Sequence, residues 1–204
     1  AGRPAAFMEV CGTHTMAIGR FGIRRLLPDT VRLVSGPGCP VCVTPAAYID
    51  NAVAAAQEHR ATIATYGDMI RVPGQTTSLE QARAAGVRVR IITSPLELFE
   101  LEGPVLCLAV GFETTIAPFV AAMAAVRAAG RDDILFYTAF KVIPPALHLL
   151  ATDGCLGIGG FLLPGHVSAV IGADAYGRIA VPACIAGFEM LDILAAVARI
   201  LEMR

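Results

Sequence analysis

Eight short runs of β-forming residues alternate along this chain with Ala-rich stretches of helical spacing, and that alternation limits the folds open to it. The runs lie at 7–10, 31–35, 62–66, 87–93, 105–110, 134–139, 160–163 and 181–186. Most are continuously apolar rather than alternating. A strand that alternates buries one face, whereas a strand apolar throughout buries both, as in parallel sheets covered by helices. Helix candidates fall between them at 16–27, 45–60, 79–85, 116–129, 145–151 and 190–203. The second has Thr44 in place to cap it and Pro45 suited to its first turn. The order predicts an α/β fold with mainly parallel sheets, in two similar Rossmann-like domains around a central cleft.

The proposed boundary is the break Glu100-Leu101-Glu102-Gly103-Pro104, giving domains 1–100 and 101–204 with four strands each. Three local echoes suggest duplication. Glu9-Val10-Cys11-Gly12-Thr13-His14-Thr15 echoes Ala109-Val110-Gly111-Phe112-Glu113-Thr114-Thr115. Gly36-Pro37-Gly38-Cys39 echoes Leu163-Pro164-Gly165-His166, and Tyr66-Gly67-Asp68-Met69 echoes Gly187-Phe188-Glu189-Met190. Each follows a strand, and ligand sites of open α/β sheets gather at the C-terminal ends of strands.

Composition excludes several classes. With 55% hydrophobic residues, 16% charged and a mean hydropathy of +0.64, the 204-residue chain is not disordered. A net charge of −1 offers no basic field for nucleic acid. The longest stretch without a charged residue, 154–173, could span a bilayer by length, but it holds six glycines, Pro164 and His166 and reads as buried core with a loop. No basic segment followed by an apolar one opens the chain, so neither secretion nor a membrane is expected. The six cysteines sit in a chain that is neither short nor loop-dominated, so they read as cytoplasmic thiols.

The sharpest motif is Gly36-Pro37-Gly38-Cys39-Pro40-Val41-Cys42. Two intervening residues let both sulfurs meet in a disulfide or on one metal, and a following helix N-terminus favours thiolate. A structural zinc site would need a second ligand pair of this kind, which is absent. Cys11 with His14 three residues later suits a nucleophile and its base, or a metal thiolate and its supporting partner. Asp68, Glu113, His166 and Glu189 are polar residues in apolar surroundings at strand ends, where buried charge is costly unless paired. They read either as a shared site or as helix caps. Cys107, Cys155 and Cys184 read as core. No phosphate-binding glycine loop, nucleophile elbow or zinc-protease motif occurs.

Taken together and in order, MEVCGTHT, SGPGCPVCVTP, YGDMIRVPG, VGFETT, LPGHVSAVIG and AGFEMLDIL resemble the HypD family of nickel–iron hydrogenase maturation factors, over nearly the whole chain. The resemblance implies a scaffold on which an iron carrying two cyanides and one carbon monoxide, Fe(CN)2CO, is assembled. It implies a HypC-type chaperone and a HypE-type cyanide donor as partners. Carried over residue by residue, Cys11 would be the iron thiolate with His14 beside it, and Cys39 and Cys42 a redox pair. Asp68, Glu113, His166 and Glu189 would manage protons or bonds to cyanide. The family's third domain, which holds an iron–sulfur cluster, is not among the matching residues, so no cluster is expected here. Where the family has Ala-His-Lys, this chain has Ala139-Phe140-Lys141. The competing functions are a stand-alone thiol–disulfide oxidoreductase, which would need only Cys39 and Cys42, and a non-catalytic partner-docking module.

Overall fold

The computed structural model describes residues 4–177 and 179–204. Among them are two four-stranded sheets in which every pairing is parallel. β1 (Ala5–Glu9), β2 (Val31–Ser35), β7 (Gly160–Pro164) and β8 (Ala183–Ala186) form one, in the order β2-β1-β7-β8. β3 (Thr62–Tyr66), β4 (Val89–Ile92), β5 (Val105–Gly111) and β6 (Ile134–Phe140) form the other, in the order β4-β3-β5-β6. Seven α-helices accompany them: α1 (Gly12–Arg20), α2 (Ala47–Glu58), α3 (Leu79–Ala84), α4 (Glu113–Ala128), α5 (Ile143–Thr152), α6 (Gly165–Ile171) and α7 (Met190–Glu202). The expected parallel α/β class is therefore the observed one. None of the described helices is long and apolar enough to cross a membrane.

The division into units differs from a cut after residue 100. One unit comprises the chain up to Cys39 and again from Val142, and the other is Pro40–Lys141. Parallel strands of one sheet need long connections, and here the connection from β2 to β7 is itself a folded unit. The repeat also lies elsewhere than in the motif echoes. The two sheets share one order of connection, in which β1 corresponds to β3, β2 to β4, β7 to β5 and β8 to β6. None of the three echoed segment pairs follows that correspondence.

The core explains the continuous apolar runs. In β3 and β5, Ile63, Leu108 and Val110 face one cluster with Ile49, Ala52 and Val53 of α2 and Leu79 of α3. Their neighbours Ala64, Cys107 and Ala109 face the other, with Phe119 and Val126 of α4. Successive residues point to opposite faces, and both faces are covered. Burial pushes the Cys107 thiol up to about 12, so it is core, as expected. Phe140 packs against Phe119 in the same cluster, ring centres 5.9 Å apart. In the discontinuous unit, Phe7, Leu33 and Leu162 of the sheet pack with Ile18 of α1 and Ile193, Val197 and Ile200 of α7. Each such fully buried side chain contributes about 1.5–3 kcal/mol.

Local chemistry moves several boundaries. α1 begins at Gly12, straight after the extended Cys11, and Gly22 at φ 63° follows its end, so the stretch to residue 27 is not one helix. Pro144 and Pro145 occupy the opening of α5, where a missing N–H costs little. α2 starts at Ala47 with no side-chain cap, so Thr44 does not cap it. α6, only seven residues long, lies where the sequence suggests a loop. Cys155 is exposed on a Gly-rich turn rather than in the core, and Cys184 is half-buried on the edge strand β8.

The discontinuity predicts how fragments behave. Residues 40–141 expressed alone retain a complete sheet with both faces covered, and should give an α/β circular dichroism spectrum and a cooperative melt. Residues 1–100 carry two strands of each sheet and should give neither.

Candidate functional site

In the discontinuous unit the chain runs from β1 to β2 on one side, while β7 lies on the other side of β1. The crevice at such a reversal, outside the C-terminal strand ends, is where α/β sheets bind ligands. Cys11 follows β1 and His166 follows β7, so both stand at this point. Cys11 is buried, and its Sγ lies 4.0 Å from Nε2 of the exposed His166.

Backbone hydrogen bonds seat the loop after β2 around Cys11. Gly36 N–H donates to the Glu9 carbonyl at 2.8 Å, and Gly12 N–H donates to the Gly38 carbonyl at 3.2 Å. A Cβ on Gly38 would stand 2.7 Å from N, Cα and C of Cys11, and one on Gly36 would stand 2.6 Å from the Met8 sulfur. Glycine is required at 38 because backbone meets backbone there, whereas at 36 the near atoms belong to the flexible Met8 side chain. Cys39, next in sequence to Gly38, is thereby brought to the Cys11 end of the sheet.

His14 is wholly buried in the first turn of α1. Its Nε2–H donates to the Gly187 carbonyl at 2.8 Å, after β8. Burial holds its pKa below the ordinary histidine value, outweighing the Gly187 and Ala186 carbonyls and the Glu9 carboxylate, which favour protonation. The ring of Phe188 lies against both histidines, 4.7 Å from His14 and 5.1 Å from His166 between ring centres. His14 thus reaches the Cys11–His166 pair through an aromatic ring.

The sequence reading missed Glu9, Phe188 and Gly38. Glu9 is completely buried at the end of β1. Its Oε1 accepts from Ser35 at 2.7 Å and Thr15 at 3.3 Å, with the Arg24 guanidinium at 3.5 Å. It joins the α1 turn that follows Cys11 to the strand end that precedes Cys39. A carboxylate inside an otherwise apolar strand was the available signal. Glu189 is exposed at the N-terminus of α7, where its N–H donates to Asp192 at 3.4 Å; this is the capping alternative.

The continuous unit places its expected residues at the corresponding reversal. Asp68 is exposed after β3, and Glu113 is buried at the start of α4 after β5. Cys42 is exposed in the turn after Pro40. The Thr44 hydroxyl donates back to the Pro40 carbonyl at 2.8 Å, and the Lys141 ammonium donates to that hydroxyl at 2.8 Å. Among the described residues no group of three or more His, Cys, Asp and Glu is arranged to hold a metal ion.

Fold and site define a class: a parallel α/β protein with a buried thiol and a histidine at a strand reversal, and a Cys-x-x-Cys turn where the chain passes between units. The HypD family, described as the hydrogenase formation hypA family, matches residues 1–204. The chain belongs to that family. It is 42% identical over 213 residues to the hydrogenase maturation factor HypD of Escherichia coli (strain K12), covering 100% of this chain and 57% of that protein. The Azotobacter vinelandii factor of the same name is 43% identical over 209 residues, covering 95% and 55%. The factor from Rhizobium leguminosarum bv. viciae is 40% identical over 207 residues, covering 94% and 54%. The chain spans a little over half the length of these relatives.

Two outcomes follow. Gly38→Ala should destabilise the protein by about 1–3 kcal/mol, as overpacking does, measured by denaturant unfolding. His14 has a depressed folded-state pKa, so below the unfolded value of about 6.5 the unfolded chain binds more protons. The stability from burying it neutral is complete above that pH and is lost progressively as pH falls toward the folded value. Unfolding free energies between pH 7.5 and 5 should decline more steeply for the wild type than for His14→Gln.

Proposed function

We propose that this chain serves hydrogenase maturation as a scaffold that holds iron while the Fe(CN)2CO unit is assembled, with Cys39 and Cys42 as a reversible redox pair. The observation that carries the reading is Cys11 at the strand reversal, with His166 beside its sulfur and the Gly36–Gly38 loop packed on its backbone. Iron here is cargo. A soft thiolate suits iron that brings cyanide and carbon monoxide, and such iron needs few protein donors because its own ligands fill most positions. The sparse donor set fits that better than a closed structural site, which takes four protein ligands.

In this reading the Cys11 thiolate anchors the cargo, and His166 holds or gives a proton at Nε2. His14, kept neutral and fixed by Gly187, keeps Phe188 against His166. Closing the Cys39–Cys42 disulfide releases two electrons and two protons, and reopening it takes them back. Asp68 and Glu113 manage protons or accept bonds, while Glu189 caps α7. Partners would be a HypC-type chaperone and a HypE-type cyanide donor, and the setting cytoplasmic, where thiols are kept reduced until used.

Anaerobic purification with the chaperone, followed by iron analysis and infrared spectroscopy, tests this. Wild type should retain iron with cyanide and carbon monoxide bands, and Cys11→Ser should lose most of both while its melt is unchanged. Iron retained equally by the variant would overturn the assignment. Disulfide exchange without iron in either protein would favour the oxidoreductase, and neither activity would favour the docking module.

A further inference from the structure

Of the sixteen basic residues fifteen are arginine, and the single lysine, Lys141, sits half-buried beside the turn that contains Cys42. The ammonium is held by neutral oxygens: it donates to Thr44 Oγ1 at 2.8 Å and to the Ala139 carbonyl at 3.2 Å. Its own N–H donates to the Gly111 carbonyl at 3.0 Å, which fixes it at the ends of β5 and β6. Among the described residues no carboxylate pairs with it. Burial depresses its pKa. A cation taken partly out of water and given only neutral partners lacks an anion.

The Thr44 hydroxyl that receives this bond closes the turn holding Cys42. It donates to the Pro40 carbonyl at 2.8 Å, and the Thr44 N–H donates to the Val41 carbonyl at 3.1 Å, so Cys42 lies inside both closures. Chain geometry keeps Cα of Cys42 within about 7 Å of Cα of Thr44. An arginine would spread its charge over a planar fork, whereas lysine presents a compact charge to one oxygen. The following helix begins only at Ala47, five residues after Cys42, and a helix terminus acts over about one turn.

We propose that Lys141 is a positioning residue for the turn that holds Cys42, clamping it through Thr44 and supplying the positive charge that stabilises the Cys42 thiolate. The thiol proton leaves to solvent, and the ammonium, bonded to Thr44 two residues further on, supplies the counter-charge. This deepens the redox-pair reading and rests on it only for its purpose, since thiolate stabilisation is measurable on its own.

The test is the pH profile of iodoacetamide alkylation of Cys42 in the fully reduced whole chain, read by peptide mass spectrometry. The exposed Cys155 serves as internal reference. Thiolate displaces iodide, so the rate follows the ionised fraction. Lys141→Met should raise the Cys42 midpoint by about half to one pH unit and slow alkylation at pH 7 about three- to tenfold. Lys141→Arg, which keeps the charge, should stay within about twofold of wild type, and Cys155 should not change in either. Thr44→Val should move Cys42 in the same direction by a smaller amount. An unchanged Cys42 profile in folded Lys141→Met overturns the proposal. If that variant fails to fold, an unchanged profile in Thr44→Val with a wild-type melt does so. A wild type that never forms the Cys39–Cys42 disulfide would instead overturn the redox reading and leave the Cys42 comparison intact.

Discussion

The discontinuous unit depends on how closely a loop can approach the end of its second-ranked strand, β1. That strand pairs with β2 on one side and β7 on the other, and its last residue hands the chain to Cys11. The loop after β2 then crosses back onto the backbone of Cys11, where only a residue without a side chain fits at 38. Two backbone hydrogen bonds, Gly36 to Glu9 and Gly12 to Gly38, hold the crossing. From this contact follow the burial of Cys11, the position of Cys39 and the opening left for His166 from β7.

A buried carboxylate reinforces the crossing. Leaving Glu9 inside an apolar unit would cost several kcal/mol without partners. The hydroxyls of Ser35 and Thr15 and the guanidinium of Arg24 converge on one of its oxygens, each from a different segment. Such a network strengthens as a whole in a low dielectric and specifies one arrangement of the segments it joins. His14 is handled in the opposite way, since burial keeps it neutral and a carbonyl fixes its ring. Glu9 and His14, two and three residues either side of Cys11, set its surroundings.

Much of this was legible in the residues. Continuous apolar runs announced parallel strands because a strand covered on both faces cannot alternate, and the motifs fell at strand ends as expected. Cys11, His14 and His166 were named from the sequence and lie together in one unit. Thr44 was read as a helix cap because a threonine before a proline satisfies that rule locally. Its hydroxyl is instead engaged by Lys141, ninety-seven residues away. The short α6 escaped because seven residues with Gly165 and Gly172 at its borders carry too little periodicity. Cys155 looked like core because its neighbours are apolar, yet glycines turn that segment outward.

What could be read from residues alone was everything carried by local pattern: the class of fold, the eight strands, and the motifs at strand ends. Hydrophobic period and turn chemistry act over a few residues, so they survive in a one-dimensional string. The tertiary structure decided which strands pair, and so which motifs meet. It made one unit from the two ends of the chain and inserted the other between them. It gave Glu9, Phe188 and Lys141 their places, because partners such as Gly187 for His14 and Thr44 for Lys141 are chosen by contacts across a hundred residues or more, or nearly so, and no local rule records them.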